Sequence, residues 1–100
     1  MTDSDSGKLA RIFRVLSADT RVRLIDLLKC RSLCVNALAR VLKITPAAVS
    51  QHLRVLRDAG IVAADKQGYF VHYRVNEATL ADWNAAVRCL LETDEGSERG

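Results

Sequence analysis

Three cysteines and one run of small hydrogen-bonding residues carry most of the chemistry this sequence has to offer. The cysteines are Cys30, Cys34 and Cys89. An odd count argues against a framework of structural disulfides and for thiols, either buried or reactive. As thiolates they bind soft metal ions or attack sulfur. Cys30 and Cys34 stand four residues apart at the junction of two expected helices. Lys29 and Arg31 are beside them, and the spacing lets the pair close on one soft ion. The second group is Thr45, Pro46, Ala47, Ser50 and Gln51, followed by His52, Arg54 and Arg57. Gln pairs bidentately with adenine, Ser with either kind of base edge, and Ala meets the thymine methyl. Arg54, Arg57 and Lys66 have the charge for phosphate contacts, which add affinity but little sequence information. His52 has two open readings, a phosphate contact or a half-buried helix residue.

These side chains need a scaffold, and the local patterns supply one. Thr45 is a good N-cap and Pro46 suits the first helical position, where a missing N–H costs nothing. Val49, Leu53 and Leu56 follow at i, i+4 and i+7 as one buried face, leaving Ala47, Ser50, Gln51 and Arg54 on the other. A short helix over Val35 to Leu42 precedes this one, joined by Lys43-Ile44-Thr45. Two short helices and a tight turn, the second presenting small polar residues, predict a helix-turn-helix. Upstream, Leu9, Ile12, Phe13 and Leu16 predict an amphipathic helix over Lys8 to Leu16. A second helix is expected over Arg21 to Lys29, with Leu24, Leu27 and Leu28 inward. Arg21 and Arg23 are read as solvated, with phosphate contact as the alternative.

Ala59-Gly60 ends the presumptive reading helix, Gly taking the left-handed position. Ile61 to Asp65 reads as a strand, Lys66-Gln67-Gly68 as a turn, and Tyr69 to Val75 as an alternating strand. A basic-tipped hairpin after a helix-turn-helix is a wing, whose tip, with Lys66 and Gly68, reaches along a backbone or into the minor groove. A last helix runs from Asn76-Glu77 to about Glu92. Its apolar stripe of Leu80, Trp83, Val87, Leu90 and Leu91 is long for so small a chain and is read as a dimer interface; the alternative is a cap on the monomer core. The expected architecture is mostly α with a small β-hairpin, in the order α-α-α-α-β-β-α, dimerised through the terminal helices. Residues 1–7 are expected to form a flexible N-terminus, 8–92 the domain, and 93–100 a flexible acidic tail.

Composition sets the outer limits. One hundred residues with 49% hydrophobic content make one folded domain. No apolar run approaches the roughly 20 residues of a membrane helix, and the acidic start does not resemble a signal peptide, so a cytoplasmic protein without a membrane partner is expected. Residues 36–76 hold six Lys/Arg against two Asp, whereas 77–100 hold two Arg against six acids. A basic centre beside an acidic tail suits one face that meets an anion, or is ordinary surface charge. Cys34, His52 and His72 do not make an enzyme, since no phosphate-cradling glycine loop or convergent acid–base pair accompanies them. A winged helix used only as a protein-interaction scaffold stays open, and it predicts no salt-dependent binding to DNA.

The stretch Ala39-Arg-Val-Leu-Lys-Ile-Thr-Pro-Ala-Ala-Val-Ser-Gln-His-Leu-Arg-Val-Leu-Arg-Asp-Ala-Gly-Ile-Val62, followed by Gly68-Tyr-Phe-Val-His-Tyr-Arg-Val75, resembles the ArsR/SmtB family. These are dimeric winged-helix repressors that release operator DNA when an inducer binds. The resemblance covers roughly residues 8–92. It implies that Ser50 and Gln51 contact base edges of an imperfect palindrome, with Ala47 and Thr45 beside them.

For the inducer, the departures from the family are as informative as the matches. Arsenic-sensing members carry Cys-Val-Cys-Asp-Leu at the start of the third helix, where this chain has Cys34-Val35-Asn36-Ala37-Leu38. Asn36 cannot act as a soft ligand. Zinc-sensing members use Asp and His pairs on the last helix, which here has Asp82 and no histidine. The resemblance therefore implies a relocated site in which Cys30 replaces the missing ligand and Cys89 adds a third thiolate, most simply across a dimer. Three sulfurs suit arsenite or antimonite, with Cd(II) or Hg(II) as softer alternatives. No metal is needed for DNA binding itself. Persulfide or oxidant sensing through Cys30 and Cys89 is the competing reading, and incidental thiols are the third.

Overall fold

Helix-forming periodicity, two good caps and one glycine turn produce seven elements in the computed structural model, which describes residues 3–93. They are α1 (Asp3–Val15), α2 (Asp19–Cys30), α3 (Val35–Leu42), α4 (Pro46–Asp58), β1 (Val62–Gln67), β2 (Phe70–Val75) and α5 (Glu77–Leu91). The order α-α-α-α-β-β-α is the expected one. Residues 94–100, the bulk of the expected acidic tail, lie outside the described residues.

The core is an α-helical layer closed by the base of the hairpin. Leu24, Ile25 and Leu28 of α2 pack with Leu38, Ala39 and Leu42 of α3 and with Val49, Leu53 and Leu56 of α4. Ile61, Val62 and Val75 complete the cluster. Helix α4 starts where expected: the Thr45 hydroxyl accepts a hydrogen bond from the Ala48 N–H at 3.1 Å, and Pro46 opens the first turn. It ends in a Schellman motif. Gly60, at φ 81°, gives its N–H to Arg57 O, and the Ile61 N–H bonds back to Leu56 O. The same backward bonding closes α3, where Lys43 and Ile44 both donate to Ala39 O. There the left-handed position is held by Lys43 at φ 60° rather than by glycine. That conformation costs a non-glycine residue about 1 kcal/mol.

Several sequence expectations are corrected. Helix α1 begins at Asp3, not Lys8, and Asp5 in its first turn suits the positive end of a helix. Phe13 is exposed, because α1 buries only the side that carries Leu9 and Ile12. Strand β1 runs from Val62 to Gln67, so the turn is Gly68-Tyr69 rather than Lys66-Gln67-Gly68. The register pairs Val62 with Val75 and Gln67 with Phe70, leaving a two-residue loop. Gly68, at φ 64°, takes its first position, the pattern of a type II′ hairpin turn. Leu33, just before α3, exchanges two backbone hydrogen bonds with Tyr73 of β2, at 3.0 and 2.8 Å. The short link between Cys30 and Cys34 is thereby tied to the wing.

Helix α5 is capped by Asn76, whose side chain accepts from Ala78 and Thr79. It has no fully buried residue. Leu80 and Trp83 lie half-buried against the core, and Lys8 of α1 reaches Asp82 of α5 at 2.7 Å. Helices α1 and α5 thus form an outer layer that one chain covers on one side only.

The turn between α3 and α4 should respond in opposite directions to two neighbouring substitutions. Thr45→Ala removes the cap bond and is expected to lower the unfolding free energy by about 1 kcal/mol. Lys43→Gly relieves the left-handed residue and is expected to raise it, by about 1 kcal/mol at most. Urea denaturation measures both, and a shared sign would contradict this turn geometry.

Candidate nucleic-acid interface

Burial of one stripe of α4 fixes what the other side presents. Val49, Leu53 and Leu56 have 0%, 1% and 0% of their surface accessible. With those three positions locked, Thr45, Pro46, Ala47, Ser50, Gln51, Arg54 and Arg57 are all exposed. The amino-terminal part of this face holds only small or hydrogen-bonding side chains, so nothing bulky keeps the helix from a groove edge. Lys66 is also exposed, on the wing below the turn.

Charge around this face is largely uncompensated. Arg74 is engaged by Asp65 at 2.6 Å across the hairpin. Arg40, Lys43, Arg54, Arg57 and Lys66 have no carboxylate partner among the described residues. Such cations are available to phosphates, with the whole strength of the contact depending on salt.

His52 is half-buried rather than presented, and its Nδ1 lies 3.3 Å from Nη1 of Arg21. Arg21 is not the solvated side chain that the sequence suggests. Its Nε donates to Val15 O at 2.6 Å and its Nη2 to Arg14 O at 3.3 Å. One guanidinium therefore satisfies the carbonyl end of α1 and reaches the reading helix α4. Sequence reasoning missed this role. The available signal was an arginine five residues past the end of an expected helix, placed to turn back on its last carbonyls.

The thiols occupy distinct settings. Cys34 is the N-cap residue of α3, half-buried, and makes no side-chain cap bond. Cys30 closes α2 and is exposed, and Cys89 is exposed on α5. No three of the His, Cys, Asp and Glu residues gather into a metal-holding group among the described residues. Cys30 does line an open groove that also includes Arg74, Trp83 and Val87. Among the expected interface residues, Leu80, Trp83 and Val87 are half-buried and Leu90 is exposed. No described helix is long and apolar enough to cross a membrane.

Comparison with known proteins agrees with this geometry. Residues 18–64, from the start of α2 into the wing, match the model of the bacterial regulatory protein, arsR family. Over 71 residues the chain is 30% identical to the transcriptional repressor SdpR of Bacillus subtilis, covering 71% of this chain and 79% of that protein. It is 36% identical to the CadC homolog of Staphylococcus aureus, a cadmium resistance transcriptional regulatory protein, over 69% of this chain but only 58% of the relative's length. A crystal structure described as a possible transcriptional regulator for arsenical resistance superposes with a TM-score of 0.73 at 38% identity, covering 83% of this chain and 85% of that one. A helix-turn-helix with an open polar face, a basic surround and a wing, matched by these relatives, establishes that the chain belongs to the ArsR/SmtB family of DNA-binding transcriptional repressors, not to a class of enzymes.

Proposed function

We propose that two copies of the chain, paired through α1 and α5, hold two α4 helices against successive major grooves of an imperfectly palindromic operator. The observation that carries this reading is the rigid seating of α4, which leaves Ser50 and Gln51 exposed beside Thr45 and Ala47. Pairing is supported by the uncovered outer layer, where Phe13, Leu90 and Leu91 are exposed next to the half-buried Trp83. Two-fold symmetry in the protein then matches two-fold symmetry in the DNA. Arg54, Arg57 and Lys66 serve the phosphates, with Pro46 at the groove edge. His52 acts from beneath, through Arg21, rather than by direct contact.

The inducer in this reading is a thiophilic metal or metalloid, arsenite or antimonite first and Cd(II) second, held by Cys30 and Cys34 with Cys89 of the other copy as third ligand. Two observations support it. A cysteine occupies the N-cap of α3, where Ser, Thr, Asp or Asn would stabilise the helix better. The same junction is hydrogen-bonded to the wing through Leu33 and Tyr73. Ligand drawn between Cys30 and Cys34 would shift α3 against α4 and pull on β2 together. A coupling of about 1–3 kcal/mol changes operator occupancy several-fold or more. The redox reading has its own support: Cys30 and Cys89 are both exposed, and Cys30 shares a groove with Val87, two residues from Cys89.

Binding is measured by fluorescence anisotropy on a duplex that the protein itself selects from a randomised pool. Ser50→Ala and Gln51→Ala are each expected to lose about 1–3 kcal/mol of discrimination at one base position. Arg54→Ala and Lys66→Ala are expected to weaken all sequences alike, each lowering the slope of log K against log salt by about 1. Salt-independent association, or none, would favour the protein-interaction scaffold.

The sensor is tested on the reduced protein–duplex complex with arsenite, Cd(II), Zn(II) and a persulfide donor. Cys34→Ser should keep operator binding and abolish release by arsenite or Cd(II). Because serine installs a proper N-cap, this variant should be at least as stable as the parent, so lost release cannot be put down to unfolding. Loss of DNA binding in Cys34→Ser would make the cysteine structural. Release by persulfide alone, dependent on Cys89, would move the protein to the redox class.

A further inference from the structure

The wing ends in an apolar tip that the protein itself does not use. Tyr69 is 99% exposed, Phe70 61% and Val71 41%. The register places Phe70 opposite Gln67 and Val71 opposite Lys66, so apolar side chains stand on both faces of the hairpin with the tyrosine at its apex. Neither ring is packed against the core. Further down the same strand Tyr73 is half-buried and Val75 buried, so the apolar exposure of β2 is confined to the part near the turn. Aromatic surface held in water at a tight turn calls for an occupant.

Three features favour DNA as that occupant. The six residues of β1 rise about 3.3 Å each, which carries the turn roughly 17 Å beyond Val62. The hairpin leaves directly from the Schellman turn of α4, and in the DNA-binding reading above a wing of that reach meets the minor groove beside the major groove that α4 reads. The tip, residues 66–71, contains Lys66 and no carboxylate, and the nearest acid, Asp65, is held by Arg74. The patch is therefore apolar at its end and cationic at its flank, on a hairpin that follows α4 directly in the chain.

We propose that the wing tip wedges Tyr69, backed by Phe70, into the minor groove at a flexible step, partly unstacks it and bends the operator toward the major groove. Apolar wedges act in this way in minor-groove proteins, and pyrimidine–purine steps yield most easily. The chain would then select its operator partly at flanking positions where it makes no hydrogen bond to a base. Gly68 serves this arrangement by allowing the two-residue turn, with open space around its Cα. This inference rests on the DNA-binding reading above and adds a second, shape-dependent source of specificity to it.

The test uses the full chain and the selected duplex, carrying a fluorescent donor and acceptor at its two ends and 2-aminopurine in the flank. Wild-type protein should raise both energy transfer and 2-aminopurine emission, and should prefer TA or CA flanks over AA by several-fold. Tyr69→Ala and Phe70→Ala should lose the bend, the emission change and the flank preference, while Tyr69→Phe, which keeps the ring, should retain them. Circular dichroism checks that each variant is folded. A folded Tyr69→Ala that bends the duplex and ranks flanks as the parent does would overturn the proposal. So would a sedimentation shift in that variant, which would make the tip a contact between copies. Wild-type binding without any bend would overturn the wedge while leaving the reading of α4 standing. Failure to select any duplex would overturn both.

Discussion

Val49, Leu53 and Leu56 of α4 are withdrawn almost completely from water by α2 and α3, and this burial decides the orientation of everything the helix carries. A helix turns about 100° per residue, so locking one stripe leaves no freedom in what the opposite side presents. That side holds Ala47, Ser50 and Gln51, all short or flexible enough to approach a base edge. The burial of three aliphatic side chains, each contributing roughly 1.5–3 kcal/mol, holds the reading face rigid. The caps at Thr45 and Gly60 set its two ends.

Around this seat the molecule is layered. Arg21 links the end of α1 to His52 of α4, so the outer layer of α1 and α5 is mechanically joined to the reading helix. Leu33 links the cysteine-bearing junction to the wing strand at Tyr73. Both links are polar and join residues far apart in the chain. Each runs from a region proposed to pair or to sense toward a region proposed to touch DNA. A rearrangement at either origin has a defined route to the DNA-facing surface, which is what coupled binding requires.

Much of this was legible in the sequence where a local rule decides the structure. Thr45-Pro46 announced the start of α4, the period of Val49, Leu53 and Leu56 announced its buried side, and Ala59-Gly60 announced its end. Helix α3 fell on Val35 to Leu42 as expected. The misreadings occurred where a residue answers to distant partners. Arg21 had one local signal, the carbonyls of α1 six and seven residues back, but its other partner is a histidine 31 residues away. Phe13 has helical spacing for a core position, but a single chain offers nothing on that side of α1. The wing turn shortens from the expected three residues to two because Gly68 opens the loop rather than closing it. The N-cap position of Cys34 was readable from its place just before Val35, whereas the exposure of Cys30 and Cys89 follows from how α2 and α5 pack.

The central claim is that Gln51 reads an adenine from the seated face of α4. The most direct test replaces each adenine of the selected duplex in turn with 7-deazaadenine, which lacks the N7 acceptor that a bidentate glutamine needs. One adenine in each half-site should weaken wild-type binding when replaced, and the same replacement should have no further effect on Gln51→Ala. Equal losses in both proteins, or no sensitive adenine in either, would contradict the account.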